Sequence, residues 1–393
     1  MTALRPQIAG HAGHAGAGQT PRNAPRSMVG NILTPSGWLR GRIAFGEHID
    51  VVEGEPVDPE ANQDLYVLPG FIDLHVHGGG GSDVMEGGDA ARTIAKMHAR
   101  HGTTAMLATT MTAPSAEIEK ALLAVGPVCR EHVPGSGARV LGVHLEGPYI
   151  NSGKLGAQPS NVRVAVMDEL HRYNAMAPIR VLTLAPEITG HLETIRAISA
   201  MGVRVQVGHT AGSYEDAVAA LESGAAGFTH LFNAMTGLHH REPGAVGAAL
   251  AHAEYAELIP DLRHVHPGAM RAAFRTIPRV YAVTDSTAAA GMPDGEYRLG
   301  SNTVTKCLGA VRLSDGTIAG SALTMDQALR NLVQSVGLRI EDASRRLSFY
   351  PAEYLNLKDR GRLEQGAWAD IVVVDRELKV VTVFGEGECL WAR

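Results

Sequence analysis

The sequence predicts a (β/α)8 TIM-like barrel with a small β-sandwich domain formed by both chain ends. Three observations predict it. Eight short apolar runs follow one another through the middle of the chain, alternating with helix-length amphipathic stretches, the signature of βα units and a parallel sheet. A different pattern, short strand-like pieces parted by Gly, Pro and Asp, marks the two ends. Polar residues gather at the downstream ends of the apolar runs, which in a barrel open on one face. The length, 393 residues, suits one large α/β barrel with an appendage. An open eight-stranded sheet is the structural alternative.

Residues 1–26 are rich in Gly, Ala, Pro and Arg and hold His11 and His14. They lack the apolar stretch and small-residue cleavage site of a signal peptide and read as a disordered tail. From residue 28 to about 66 run MVGNILTP, GWLRGRIAF and HIDVVEG, and the last forty residues hold ADIVVVD and KVVTVFGEGECLWA. Residues 27–66 and 357–393 are therefore expected to share one small β domain, with the barrel over 67–356. The eight barrel runs are LPGFIDLHVH, TTAMLATT, RVLGVHLEG, IRVLTLAPE, VRVQVGHT, AGFTHLFNAM, AELIPDLRHVHP and RVYAVTDS. Helical stretches between them include DAARTIAKMHARHG, SAEIEKALLAV, HLETIRAISAMG and YEDAVAALESG. Residues 295–320 break the pattern with a hairpin-like Asp315-Gly316 turn and are expected to form an excursion beside the barrel mouth.

Composition excludes several classes. Hydrophobics at 45% with 19% charged residues describe a globular chain rather than a disordered one. Lys and Arg number 35 against 41 Asp and Glu, so the net charge of −6 gives no electrostatic basis for a nucleic-acid or anionic-membrane partner. Three distant cysteines, Cys129, Cys307 and Cys389, make neither a disulfide framework nor a Cys-based zinc site. No run approaches the roughly 20 apolar residues of a membrane span. The chain reads as cytoplasmic.

The strand ends carry the chemistry. His75 and His77 end the first run, Glu146 the third, His209 the fifth, His230 the sixth, His264 the seventh and Asp285 the eighth. Spaced by two on a strand, His75 and His77 face one side. Each residue has a plainer reading alone: Glu146 capping a helix or pairing with Arg163, His209 a satisfied core histidine, Asp285 a helix N-cap. Together, imidazoles and carboxylates ringing one barrel mouth need partners if buried, and a metal ion supplies them.

Over nearly everything from residue 28 onward, the chain resembles the N-acetylglucosamine-6-phosphate deacetylases of the amidohydrolase superfamily. The resemblance rests on PGFIDLHVHGGGG, HLEGPYI, VGHT, FTHLFNAM, REPG, VTDSTAAAGMPDG and AGSALTMDQALRNLV. It implies a metal-dependent hydrolase that removes acetyl from an amino-sugar phosphate. On that resemblance Glu146, His209 and His230 are metal ligands and Asp285 the catalytic acid/base. Asn233 and Ala234 meet the sugar phosphate, and Arg241 reaches it from a neighbouring subunit of a homodimer. His264 binds substrate, although DLRHVH departs from the family's Asp-Gly-x-His, and Ile318, Ala319, Gly320 and Ser321 line the substrate. In the loop after LEGP, beside Ala157, the chain has Gln158 where many members carry a histidine that hydrogen-bonds the acetyl carbonyl. A Gln amide can donate to an oxyanion but carries no charge. His75 and His77 are intact, so a second cation bridged by Glu146 fits beside the first; the expected cofactor is Zn²⁺, one or two per subunit.

The function implied is hydrolysis of N-acetyl-D-glucosamine 6-phosphate to D-glucosamine 6-phosphate and acetate. The alternatives are deacetylation of another amino-sugar phosphate, such as N-acetylgalactosamine 6-phosphate, or hydrolysis of an N-acyl amino acid, whose carboxylate Arg241 could equally serve. A dihydroorotase-like centre needs a lysine after the fourth strand, and TLAPE has none. A non-catalytic binding paralogue would have replaced a ligand or the acid/base; all are present.

Overall fold

Residues 26–393 are described, in a computed structural model. Most of the expected tail, with His11 and His14, lies outside the described residues, while Arg26 already pairs with Phe45 in the first strand.

The two chain ends build one seven-stranded sheet. Its strands run in the spatial order Glu388–Ala392, Val380–Gly385, Ile371–Val374, Tyr66–Pro69, Arg26–Thr34, Gly37–Phe45 and Ile49–Pro56. The joint between the ends is the antiparallel pairing of Ile371–Val374 with Tyr66–Pro69. Three strands separate the one holding Phe384 from the one holding Phe45, a span of about 19 Å in a flat sheet. Yet the two rings lie 5.2 Å apart, edge to face. The sheet therefore folds back on itself, which is how a single sheet makes the expected sandwich. Strand alternation divides its side chains: Ile32, Val67, Ile371 and Val373 fill the space inside, while Leu33, Tyr66, Leu68, Val372 and Val374 pack into the barrel core.

The eight barrel strands are Phe71–Val76, Thr103–Thr110, Arg139–Glu146, Ile179–Leu184, Arg204–Val207, Gly227–Phe228, Tyr255–Leu258 and Arg279–Ala282, called first to eighth below. The first six pair in parallel in chain order, and the seventh pairs with the eighth. Backbone bonds close the two seams. The Leu231 N–H donates to the Glu257 carbonyl (2.9 Å), and across the other seam the Asp285 N–H donates to the His75 carbonyl and the His77 N–H to the Ser286 carbonyl, each 2.9 Å. The first four strands are almost entirely buried, as expected of parallel strands covered on both faces.

Helices follow the strands where the amphipathic pattern placed them, at Ala90–Ala99, Ser115–Arg130, His191–Ala200 and Tyr214–Glu222; the last starts with a Ser213/Asp216 capping box. Three more, Met167–Met176, Gly244–His252 and Pro267–Thr276, follow the third, sixth and seventh strands, and Ile340–Leu347 closes the ring by packing on the eighth strand and the first. The 295–320 excursion forms a three-stranded antiparallel sheet, Gly295–Leu299, Asn302–Cys307 and Ala310–Arg312, followed by the Asp315-Gly316 turn. Its core of Leu299, Val304, Val311 and Ala319 packs on Met111, just past the second strand, and so sits on the barrel mouth. Cys129, Cys307 and Cys389 are unpaired. Among the described residues no helix is long and apolar enough to cross a membrane.

Candidate metal centre and active site

Six buried side chains converge at the C-terminal mouth of the barrel: His75, His77, Glu146, His209, His230 and Asp285. Glu146 is the hub, and its two oxygens face different partners. Oε1 lies 3.1 Å from His209 Nε2 and 3.0 Å from His230 Nε2, and those two nitrogens are 3.1 Å apart. Oε2 lies 3.1 Å from His77 Nε2 and 3.5 Å from His75 Nε2, with His75 Nε2 and His77 Nε2 separated by 3.2 Å. Asp285 Oδ1 closes the second group at 3.4 Å from His75 Nε2 and 3.3 Å from His77 Nε2.

The donors in each group are spaced as the ligands of one tetrahedral zinc ion would be, about 3.3 Å apart for bonds near 2.05 Å. The hydrogen bonding agrees. His209 donates from Nδ1 to the Lys154 carbonyl (2.8 Å), so its Nε2 presents a lone pair to the group. Electrostatics points the same way, because the carboxylates Glu146, Asp285 and Glu257 crowd together in buried space. Burial disfavours charge on both histidines, but the carboxylates around His75 drive it well above its ordinary value, and Asp285 and Glu146 push His77 up to about 9. The cluster demands positive charge at the positions where a divalent cation would bring it. The residues present thus fit one or two such ions.

The backbone aims these side chains. His209, His230 and Asp285 all have positive φ, at 48°, 28° and 49°, as does Ala234 at 49°. Left-handed non-glycine residues cost of order 1–3 kcal/mol each and cluster at functional sites. Neighbours hold them: the Asp285 carbonyl accepts from the Ser321 N–H (2.7 Å), the Ala234 carbonyl from the Thr210 N–H (3.1 Å) and the His209 carbonyl from the Asn151 N–H (2.9 Å).

Above the cluster opens a cavity of about 310 Å³, within the usual range for small-ligand sites. Its walls include Ala157, Gln158, Asn233, Ala234, His264, Ile318 and Gly320. His264 stands on the loop beyond the seventh strand, its Nδ1 2.7 Å from Asp261 Oδ2, and Leu262 between them takes the positive φ (65°) that a glycine would adopt without strain. Ala319 and Ser321 do not line the cavity. Ala319 is buried in the excursion's core, and Ser321 turns its hydroxyl to the Thr284 carbonyl (2.6 Å). Arg241 is exposed, bonded to His240 Nε2 (2.8 Å), and outside the cavity wall of its own chain. Gln158 is committed more deeply than the sequence suggests: its amide nitrogen donates to Glu146 Oε2 (2.6 Å) and its oxygen accepts from the Thr112 N–H (2.7 Å). Arg163 pairs with Glu169 (2.9 Å), not with Glu146.

Sequence reasoning passed over the buried polar layer beneath the site: Asp73, His144, Gln206, Glu257 and Tyr281. Glu257 Oε2 lies 3.0 Å from His75 Nδ1, and the buried His144 is pushed down to about 4 by desolvation and stays neutral. A signal existed. Asp73 shares strand parity with His75, and His144 with Glu146, so each must face the same interior as the site.

Residues 66–390 match the amidohydrolase family. N-acetylgalactosamine-6-phosphate deacetylase of Escherichia coli O157:H7 is 39% identical over 368 residues, covering 91% of this chain and 97% of that protein. N-acetylglucosamine-6-phosphate deacetylase of Vibrio furnissii is 39% identical over 351 residues, 88% of this chain and 86% of its own. Among solved structures, a variant N-acetyl-D-glucosamine-6-phosphate deacetylase of Mycobacterium smegmatis, in complex with N-acetyl-D-glucosamine-6-phosphate, superposes with a TM-score of 0.84 at 33% identity, covering 92% of this chain and 97% of that one.

Proposed function

The chain belongs to the amidohydrolase family, and from that premise we propose that it hydrolyses the acetamide of N-acetyl-D-glucosamine 6-phosphate, giving D-glucosamine 6-phosphate and acetate. The observation that carries the reading is the bridging Glu146: two donor groups share its carboxylate, with Asp285 at the edge of one and an open cavity above both. Glu146, His209 and His230 would hold one divalent cation, proposed to be Zn²⁺, and His75, His77 and Asp285 a second. Such an ion, when bound, polarises a carbonyl and lowers the pKa of water.

The chain's own residues do the rest. Asp285 accepts the proton of the attacking water and delivers it to the nitrogen as the C–N bond breaks, so that the amine leaves neutral and acetate keeps the water oxygen. Burial opposes ionisation of Asp285, but without a cation the positive charge of His75 and His77 outweighs it and holds the carboxyl down to about 2; a cation bound at those imidazoles would supply the charge in their place and keep Asp285 ionised. His264, oriented by Asp261, faces the sugar from the cavity wall. Ala234 offers its backbone N–H to the phosphate, beside Asn233, whose side-chain amide donates to the His230 and Leu231 carbonyls (3.0 and 3.3 Å) and shapes that turn. Arg241 of a second copy in a homodimer completes the grip, consistent with that residue standing outside its own cavity. Remote phosphate binding orients the acetyl group for attack. A cytoplasmic setting belongs to the same proposal and is supported by the three unpaired cysteines.

The galactosamine epimer is the second reading, favoured by the Escherichia coli relative whose length this chain covers almost completely. Acetate release measured on both 6-phosphorylated N-acetylhexosamines, with cation-loaded protein, tests the function and separates the two. Release from neither substrate overturns it.

A further inference from the structure

Glu257 lies on the seventh strand with no exposure, in the otherwise apolar run AELI. Among the described residues its only ion-pair partners are the imidazoles of His75 and His144. A buried carboxylate without a guanidinium or ammonium partner costs several kcal/mol unless other bonds compensate. Its Oε2 is 3.0 Å from His75 Nδ1 and 3.3 Å from the backbone N–H of His230, and its Oε1 accepts from the Tyr281 hydroxyl (3.4 Å). Tyr281 is held in turn by Gln206 Nε2 (2.7 Å), whose own oxygen accepts from Thr229 (2.8 Å). One carboxylate, anchored from behind, thus touches a residue of each donor group.

A carboxylate can only accept. The contact places a proton on His75 Nδ1 and leaves the Nε2 lone pair facing His77 Nε2, Glu146 Oε2 and Asp285 Oδ1. His144 offers no competing destination: its ring nitrogens are occupied by the Leu74 carbonyl (3.1 Å) and Thr183 Oγ1 (2.7 Å). The trio His75, His144 and Glu257 is therefore a support and not a cation site. We propose that Glu257 is a positioning residue that fixes the ring and tautomer of His75, so that the His75, His77 and Asp285 group binds a second divalent cation beside the one at Glu146, His209 and His230. Glu257 itself touches neither cation nor substrate.

This rests on the metal-dependent reading above but not on its substrate, so the test is made without substrate. Metal-free full-length protein is titrated with Co²⁺, following the visible absorption of the bound ion and the metal content after gel filtration. The wild type takes up two equivalents. In Glu257→Gln the first equivalent binds as in the wild type, while the second binds 10–100-fold more weakly, the usual effect of removing a carboxylate behind a ligand histidine. His75→Gln weakens the second equivalent too, and adding Glu257→Gln to it weakens binding no further. Uptake of a single equivalent by the wild type overturns the proposal. So does Glu257→Gln binding both equivalents normally or weakening both alike, as does a fall in Tm without a change in the second affinity, which would make Glu257 a packing residue. Failure of deacetylation with two equivalents bound would overturn the proposed substrate and leave this assignment standing.

Discussion

Replacing Gln158 by leucine, a buried side chain of similar volume, separates two roles that this residue combines. The change removes a 2.6 Å bond to the Glu146 carboxylate and leaves the Thr112 N–H, now 2.7 Å from the amide oxygen, without an acceptor. A hydrogen bond to a charged group is worth roughly 1.5–3 kcal/mol and an orphaned buried donor costs about 1–3 kcal/mol. The fold should therefore lose about 3 kcal/mol after the 156–158 loop relaxes. Cation binding should suffer separately. With Oε2 unclamped, the Glu146 carboxylate can rotate away from His209 and His230, and losing a partner of this kind weakens a bound metal roughly 10–100-fold. The assay is metal content across a series of buffered free-cation concentrations, followed by kcat and KM at saturating cation. Affinity should fall as stated. Any remaining loss of kcat at saturation measures the second role, donation from the free amide hydrogen to the acetyl oxygen. Unchanged cation affinity would refute the clamp.

Asp285→Asn should lower kcat on the order of 10²–10⁴-fold while the cation held by Glu146, His209 and His230 stays bound, because shape is kept and the proton acceptor is lost; near-normal turnover would reassign the acid/base. His98, which donates to the Gly78 carbonyl (3.0 Å), is pushed down to about 4 by burial. Unfolded, it titrates near 6.5, so its contribution is intact above pH 6.5 and lost as pH falls toward 4, in total about 3 kcal/mol; urea midpoints from pH 7 to 4.5 should show this, and His98→Gln should flatten the step. Arg241→Ala should mainly raise KM, by roughly 10–150-fold for a loss of about 1.5–3 kcal/mol. Mixed with Asp285→Asn subunits it should regain activity, and a mixture that stays inactive despite subunit exchange removes Arg241 from the shared site.

The strand ends were legible because burial of a parallel strand on both faces keeps its run largely apolar, so that the polar residues closing each run stand out. His75, His77, Glu146, His209, His230 and Asp285 were all found that way. The same rule hid Glu257, which sits within its run among Ala256, Leu258 and Ile259 and has meaning only through a ring 182 positions away. Gly244–His252 escaped notice because it is small and apolar throughout, with most of its residues buried, so it shows no helical period. The resemblance treats 318–321 as one lining stretch, yet alternation along it sends Ile318 and Gly320 to the cavity and Ala319 away from it. The commitment of Gln158 to Glu146 was beyond reach, since a loop's path is set by what it packs on and not by its own period.

The positive φ angles tie the strand ends to the geometry of the site. A strand that simply ended would leave His209, His230 and Asp285 free to relax into extended or helical backbone, which L-residues prefer by about 1–2 kcal/mol each. They do not relax because each strained turn is bonded to a segment of the chain distant from it in sequence. Asp285 is held between the His75 carbonyl and the Ser321 N–H, His209 by the Asn151 N–H, and the His230 N–H reaches Glu257. The strain and the ligand geometry are thus one construction: the bonds that enforce left-handed backbone also fix where the imidazoles and the carboxylate point before any cation or substrate arrives. A centre assembled this way needs little reorganisation on binding, which is the condition under which fixed charges and dipoles lower a barrier most. It also explains why a carboxylate as costly as Glu257 is kept in the interior, since its removal would free the His75 ring and with it the second donor group.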